Sequence, residues 1–229
     1  MDLSKQYDDF ADKFSELSLG EGNDDPSLDN STNKKAFYER LEFIKKDFKV
    51  LDLACGDGTD LLIYKEFGGE MHGCDSSKEM LEIAKKKVSD ATFEMADFSK
   101  LPFQDNFFDV VLSKYAIQTS ENILSVYKEI HRVLKTGGTM MILVTHPFRQ
   151  FMERKDLSED YFSQRIVDSN VFKEKITFKE PTHTMNEYFS NFLFKNFDVQ
   201  DFYEGWDPAA EQIGGGKYPG FFILKAVKR

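Results

Sequence analysis

Two glycines and a carboxylate at fixed spacing carry most of the chemistry legible in this chain. The run VLDLACGDGTD (residues 50–60) sets Gly56 and Gly58 in one short turn, and Asp75 follows inside MHGCDSSKEM (71–80). Glycine lets a backbone turn sharply and come close to a ligand without a Cβ in the way. Asp75 has lone pairs enough to accept hydrogen bonds from both hydroxyls of a ribose. Val50, Leu51 and Leu53 are apolar, as a strand covered on both faces requires. Strand, Gly-rich turn, helix start and a carboxylate at the tip of the next strand together describe an adenosine-type site in a doubly wound α/β sheet.

A nicotinamide or flavin site fits the spacing poorly. G-x-G-x-x-G needs a small third residue where Leu61 stands, and Leu61 with Leu62 keeps the helix from packing tightly on the strand. Asp57 and Asp60 flank the turn, which disfavours a pyrophosphate at the helix start. Acidic residues there suit a cationic ligand, one carrying an ammonium and a sulfonium. A P-loop is excluded because no G-K-[ST] occurs in the sequence.

The elements that hold these residues follow from periodicity. Leu3, Tyr7, Phe10, Phe14 and Leu17 recur at helical spacing, so an amphipathic helix opens the chain. A polar stretch from Gly20 to Asn33 breaks it, and Phe37, Leu41, Ile44 and Phe48 mark a second helix leading into the first strand. Ser76 and Glu79 are spaced as a capping box for the helix after strand two. Residues 91–96, 108–113 and 139–145 read as strands three, four and five, with Ile123, Tyr127, Ile130 and Leu134 striping a helix that Gly137 and Gly138 stop. From His146 to Lys175 no clear period survives, and ITFKE (176–180) reads as a short added strand. Thr184 and Glu187 form a second capping box, opening a helix with Met185, Phe189 and Phe192 on one face. Residues 197–203 and 221–227 are strands six and seven, joined by a long, functionally suspect loop.

Composition narrows the partners. A chain of 229 residues with 41% hydrophobic residues is the size of one α/β domain with a modest insertion. Its 23 phenylalanines are mostly core. A formal charge of −10 disfavours nucleic acid, which wants a basic face. No apolar run is long enough to cross a bilayer, and the acidic start MDLSKQYDDF has no signal-peptide h-region, so the expected location is the cytoplasm. Cys55 and Cys74 read as packing thiols in a reducing compartment.

VLDLACGDGTD resembles the first motif of the class I S-adenosylmethionine-dependent methyltransferases, an acidic residue followed by G-x-G-x-G. MADFSKLPFQDNFFDVVLSKYAIQ (95–118) is similar to that family's third and fourth strands with their D-x-x-x-L-P-F link, and HRVLKTGGTMMILV (131–144) to its helix, Gly-Gly turn and fifth strand. The resemblance spans roughly residues 34–146 and is nearest to the ubiquinone/menaquinone-biosynthesis, "type 11" branch. It implies a single doubly wound, seven-stranded, mostly parallel sheet with an antiparallel last strand. Residues 1–33 would be an N-terminal helix and mobile cap, 34–146 the cofactor core, 147–183 a lid insertion, and 184–229 the completion of the sheet. Ala54 replaces the motif's first glycine, a change that costs little if its φ is negative.

By the same resemblance the cofactor is S-adenosylmethionine, with S-adenosylhomocysteine as product and no metal. Asp52 would serve the turn amides or the cofactor's ammonium, and Gly56, Gly58, Asp75 and Ser76 the turn and ribose. Asp97 and Phe98 would hold adenine, with Met80 on the ring face. Ser113, Lys114 and Gln118 would line the methionine side, Lys114 facing a carboxylate, and Tyr7 in YDDFADKF would close over the cofactor. Methyl transfer to an activated sulfonium carbon needs chiefly alignment and desolvation. A base is required only for a protonated acceptor. His146, at the end of strand five, is the first candidate and His183 the second; His72 and His131 read as packing. Tyr161, Tyr188, Trp206 and Tyr218 are candidates for an aromatic acceptor wall. The expected reaction methylates O, N or C of a small molecule. Two alternatives stay open: a methyltransferase-like cofactor-binding protein without turnover, and a protein or tRNA methyltransferase. Oligomeric state is unreadable.

Overall fold

The computed structural model describes residues 5–20, 31–152, 160–172, 175–207 and 216–229. Leu3, most of the polar stretch after Gly20, and parts of the 147–183 insertion and of the loop before residue 216 lie outside them.

Five strands, β1 (Lys49–Leu53), β2 (Glu70–Asp75), β3 (Thr92–Met95), β4 (Phe108–Lys114) and β5 (Leu134–Thr145), run parallel. Two further strands, β8 (Phe197–Gly205) and β9 (Phe221–Lys228), complete one seven-stranded sheet in the order β3-β2-β1-β4-β5-β9-β8, with β9 antiparallel to both its neighbours. The order reverses beside β1, so β1 and β4 open a crevice at their carboxyl ends. Helices α3 (Thr59–Phe67), α4 (Lys78–Lys87) and α5 (Ile123–Val133) follow strands as crossovers. Apolar clusters cover both faces of the sheet. One joins Leu51, Leu53, Val111 and Ile142 to α5, and the other joins Val50, Val110, Leu112 and Leu143 to α3 and Phe37.

Between β5 and β8 the chain adds α6 (Pro147–Met152), a separate hairpin of β6 (Ile166–Val171) and β7 (Ile176–Pro181), and the short helices α7 (Met185–Tyr188) and α8 (Asn191–Asn196). The added strand at 176–180 is therefore present, with a partner in β6 that sequence left irregular. Ahead of the sheet lie α1 (Lys5–Gly20) and α2 (Ser31–Tyr38).

Four local expectations shift. Helix α2 stops at Tyr38, and Leu41, Ile44 and Phe48 are reached through successive i→i+3 turns that happen to share a helical spacing. Helix α4 is capped by Ser77, whose hydroxyl accepts from Met80 N at 3.1 Å, one residue later than the Ser76 box. Helix α5 ends at Val133 because β5 already begins at Leu134, ahead of Gly137. The Thr184–Glu187 box is formed, with Thr184 N donating to Glu187 at 2.7 Å, but the helix it opens breaks after one turn and restarts at Asn191.

Candidate functional site

The turn after β1 holds three left-handed residues, Ala54 (φ +60), Gly56 (φ +53) and Gly58 (φ +76). The glycines do different work. A Cβ on Gly58 would stand 3.0 Å from Ala84 Cβ, so Gly58 lets α4 pack onto the turn. A Cβ on Gly56 would meet no atom of the described residues within 4 Å, so among them its backbone is open in front. Ala54 departs from expectation, since its φ is positive, where an L residue is strained by about 1–2 kcal/mol. Ala54→Gly relieves that strain and loses about 0.4–1 kcal/mol to unfolded-state entropy. We expect it to melt roughly 1–4 °C higher by calorimetry; a lower Tm would contradict the strained turn.

Asp75 anchors the turn. Its Oδ2 accepts from Gly56 N at 2.8 Å and its Oδ1 from Ser77 N at 2.9 Å. Burial lifts its carboxyl above the usual range, against the pull of the Ser77, Gly56 and Ser76 amides. Each oxygen keeps a lone pair for a further donor. Asp52 lies in β1, 2% exposed, with Oδ2 unpartnered among the described residues. Burial pushes its carboxyl well up, Asp60 adds to this, and Lys114 opposes it.

The two acids that flank the turn are already satisfied. Asp57 Oδ2 accepts from Lys87 Nζ at 2.5 Å and Ser15 Oγ at 2.7 Å, and its Oδ1 from Thr59 N at 3.1 Å. Burial alone would raise the Asp57 carboxyl, but Lys87 and Ser15 outweigh it and hold it below its ordinary value. Asp60 accepts from Lys114 Nζ at 2.6 Å and from the Tyr38 hydroxyl. Their charges therefore belong to the fold and not to a cationic ligand. The same bond changes the expectation for Lys114, which is neither solvated nor aimed at a ligand carboxylate.

The remaining predicted residues divide. Met80 is buried at the start of α4, and Ser76 is exposed at the rim. Asp97 is exposed, its Oδ1 accepting from Ser99 N at 2.7 Å, while Phe98 packs on the core. Ser113 spends its hydroxyl on Leu53 O at 3.0 Å, tying β4 to β1. Gln118 is 3% exposed, with Oε1 unpartnered among the described residues. Cys55 and Cys74 are free and buried, and burial raises both thiols, which leaves them poor nucleophiles.

Helix α1 straps the site. Ser77 Oγ donates to Asp8 at 2.6 Å, beside the Asp75 loop, and Ser15 reaches Asp57. Gln6 exchanges two bonds with the Lys179 backbone, at 2.9 and 2.8 Å, and Tyr7 stacks on Phe178 with centroids 4.5 Å apart. One helix thus joins the Gly-rich turn to the inserted hairpin. Asp8, Ser15 and Lys87 were not singled out from sequence, because lone polar residues on a helix surface carry no period.

Neither histidine is free to act as a base. His146 Nδ1 accepts from Phe148 N at 3.0 Å and its Nε2 faces Glu204 at 2.8 Å, so the ring has no lone pair to offer. Burial holds its charged form down despite Glu204. His183 is buried with Nε2 2.9 Å from the Gln118 carbonyl and Nδ1 3.0 Å from Glu187. Both ring nitrogens are thus engaged within the fold. His146→Ala should lower Tm by roughly 4–8 °C, the loss of about 2 kcal/mol of buried bonding and packing, while S-adenosylhomocysteine affinity by calorimetry stays within threefold. The four ring candidates each have partners within the protein. The Tyr161 hydroxyl accepts from Met185 N at 2.7 Å, Tyr188 lies against Phe222, Lys217 sits over Trp206, and Tyr218 packs on Phe148.

Comparison with known proteins now bears on this geometry. Residues 51–142, which contain the turn, Asp75 and Asp97, match a family model described as a methyltransferase domain. The chain is 30% identical over 147 residues to a demethylmenaquinone methyltransferase of Paenarthrobacter aurescens, covering 64% of this chain and 56% of that protein. It is 36% identical over 108 residues to one of Staphylococcus aureus, covering 44% of this chain and 45% of that protein. The chain therefore spans about half the length of these curated relatives. An S-adenosylmethionine-dependent methyltransferase structure from Mesorhizobium loti superposes with a TM-score of 0.68 at 21% identity, covering 88% of this chain and 100% of that one. It shares the fold of this chain. No helix among the described residues is long and apolar enough to cross a membrane.

Proposed function

We propose that the protein is an S-adenosylmethionine-dependent methyltransferase acting on a small-molecule acceptor, built as a single domain with residues 147–183 on the acceptor side. The turn at 54–58 carries the proposal. It holds Gly56, whose backbone meets no other described residue in front of it, next to the buried Asp75 and close after the buried Asp52, neither carboxylate having a cation at ion-pair distance among the described residues. An unpaired buried carboxylate is costly unless a ligand supplies the donor. A molecule with an ammonium at one end and ribose hydroxyls in the middle answers both, Asp52 meeting the first and Asp75 the second. When bound, that cofactor supplies a methyl group already activated by a sulfonium centre.

What this chain contributes is therefore binding and alignment. Gly56 lets the backbone approach the cofactor, Asp75 fixes the ribose, and α1 excludes water through Tyr7, Asp8 and Ser15. With His146 and His183 both committed, neither takes the acceptor's proton. The names of the curated relatives support a small acceptor over protein or RNA, and the −10 charge disfavours RNA. Incubation with tritiated methyl donor and separate pools of metabolites, cell protein and RNA tests this directly. Label is expected in the metabolite pool. Label confined to protein or RNA would contradict the acceptor class, and donor binding without any transfer would favour a non-catalytic cofactor protein.

A further inference from the structure

The inserted hairpin carries a buried carboxyl group toward the cofactor turn. Strand alternation puts Glu180 on the same face of β7 as Ile176 and Phe178, and all three are buried. Glu180 is 6% exposed and has no cation at ion-pair distance among the described residues. Its neutral partners are Gln150 Nε2 at 3.0 Å and the Ser169 hydroxyl. The nearby cations are engaged, Arg149 with Asp207 and His183 with Glu187.

Two amide oxygens lie in the same layer with nothing to accept. Gln150 spends its Nε2 on Glu180 and on Pro181 O at 3.3 Å, leaving Oε1 buried and unpartnered among the described residues. Gln118 Oε1 is likewise unpartnered, on the residue whose carbonyl His183 holds. Tyr7 of α1 stacks on Phe178, the neighbour of Glu180 on the buried face of β7, while Asp8 beside it accepts from Ser77 next to the Asp75 loop. Helix α1 therefore links this layer to the Asp75 loop.

A buried carboxyl group with no ion pair among the described residues, and two amide oxygens with no donor, complement a ligand that brings N–H donors and positive charge. We propose that Glu180, with Gln150 and Gln118, is the acceptor subsite, selecting small molecules that carry a protonated amine or a similar cationic N–H group. The proposal rests on the methyltransferase reading of the Gly-rich turn. A structural carboxylate buried this deeply is ordinarily matched by a cation at ion-pair distance, and here the nearby cations, Arg149 and His183, are paired with Asp207 and Glu187 instead.

The test uses a metabolite extract split on ion exchangers into cationic, anionic and neutral organic-soluble pools, each incubated with tritiated methyl donor. Label should enter the cationic pool with wild-type protein and fall at least tenfold with Glu180→Gln, whose S-adenosylhomocysteine affinity by calorimetry and Tm stay near wild type. Gln118→Leu, which breaks no described side-chain hydrogen bond, should lower the same transfer at least threefold. Label entering only the anionic or neutral pool, the latter expected of a quinone ring, overturns the subsite. Undiminished transfer by Glu180→Gln, or no label in any pool while S-adenosylhomocysteine binds, overturns it as well. Failure of S-adenosylhomocysteine to bind at all instead refutes the methyltransferase reading beneath it.

Discussion

Asp75→Ala is expected to weaken S-adenosylhomocysteine binding by about 1.5–3 kcal/mol, roughly ten- to hundredfold, the loss of charge-assisted hydrogen bonds to a ribose. Part of the effect passes through the protein. Gly56 N and Ser77 N both rest on this carboxylate, so its removal leaves two amides without acceptors and loosens the turn that meets the ligand. Asp75→Asn separates the two contributions. It keeps one acceptor oxygen for an amide but turns an N–H₂ toward the other, so it should lose most of the affinity with a smaller drop in Tm than alanine. Isothermal titration alongside thermal melts reads both quantities. Unchanged affinity in the alanine variant would remove Asp75 from the site.

The second large effect lies at Asp57, which sequence assigned to the ligand and the structure gives to the fold. Lys87 and Asp57 are 14% and 5% exposed, so Asp57→Asn leaves a nearly buried ammonium without its partner. Breaking such a pair costs about 3–5 kcal/mol, and with Lys87 able to swing partly outward the lower end is expected. A loss near 3 kcal/mol corresponds to a Tm drop of roughly 6–12 °C. Ser15 loses its carboxylate in the same variant, so α1 is less firmly held over the turn and cofactor affinity should fall modestly. The pH dependence has a definite sign. The folded Asp57 carboxyl sits below its ordinary value, close to 3.9 in the unfolded chain. Its contribution is therefore fully present above about pH 4–5 and is lost as pH falls through the folded value. The stability gap between wild type and Asp57→Asn, measured by urea melts, should narrow below about pH 4. A gap that is constant with pH would mean the pair is not ionic.

Much of the fold was legible because its signals are local. Apolar runs bounded by Gly56–Gly58 and Gly137–Gly138 mark parallel strands that are buried on both faces, and the acidic tip of β2 fixes where the crevice lies. What escaped depends on long-range pairing. Strand β6 alternates polar and half-buried residues and becomes a strand only by pairing with β7. Asp57 and Asp60 read as ligand acids because nothing in the sequence says that Lys87 and Lys114 will return to them. The His146 ring looked available for the same reason, since its partners Phe148 N and Glu204 are set by a turn and by a strand that lies far along the chain. Glu180 did leave a trace. A carboxylate at an inward position of an alternating strand is a polar group heading for burial, and ITFKE shows one.

The central claim is that the turn at 54–58, with Asp52 and Asp75, binds S-adenosylmethionine. Calorimetric titration with S-adenosylhomocysteine, with NADH as the competing chemistry, tests it most directly. One saturable site is expected, with Kd between about 1 μM and 1 mM as is usual for enzyme ligands, and no heat from NADH. No binding of S-adenosylhomocysteine at millimolar concentration, or tighter binding of NADH, would contradict it.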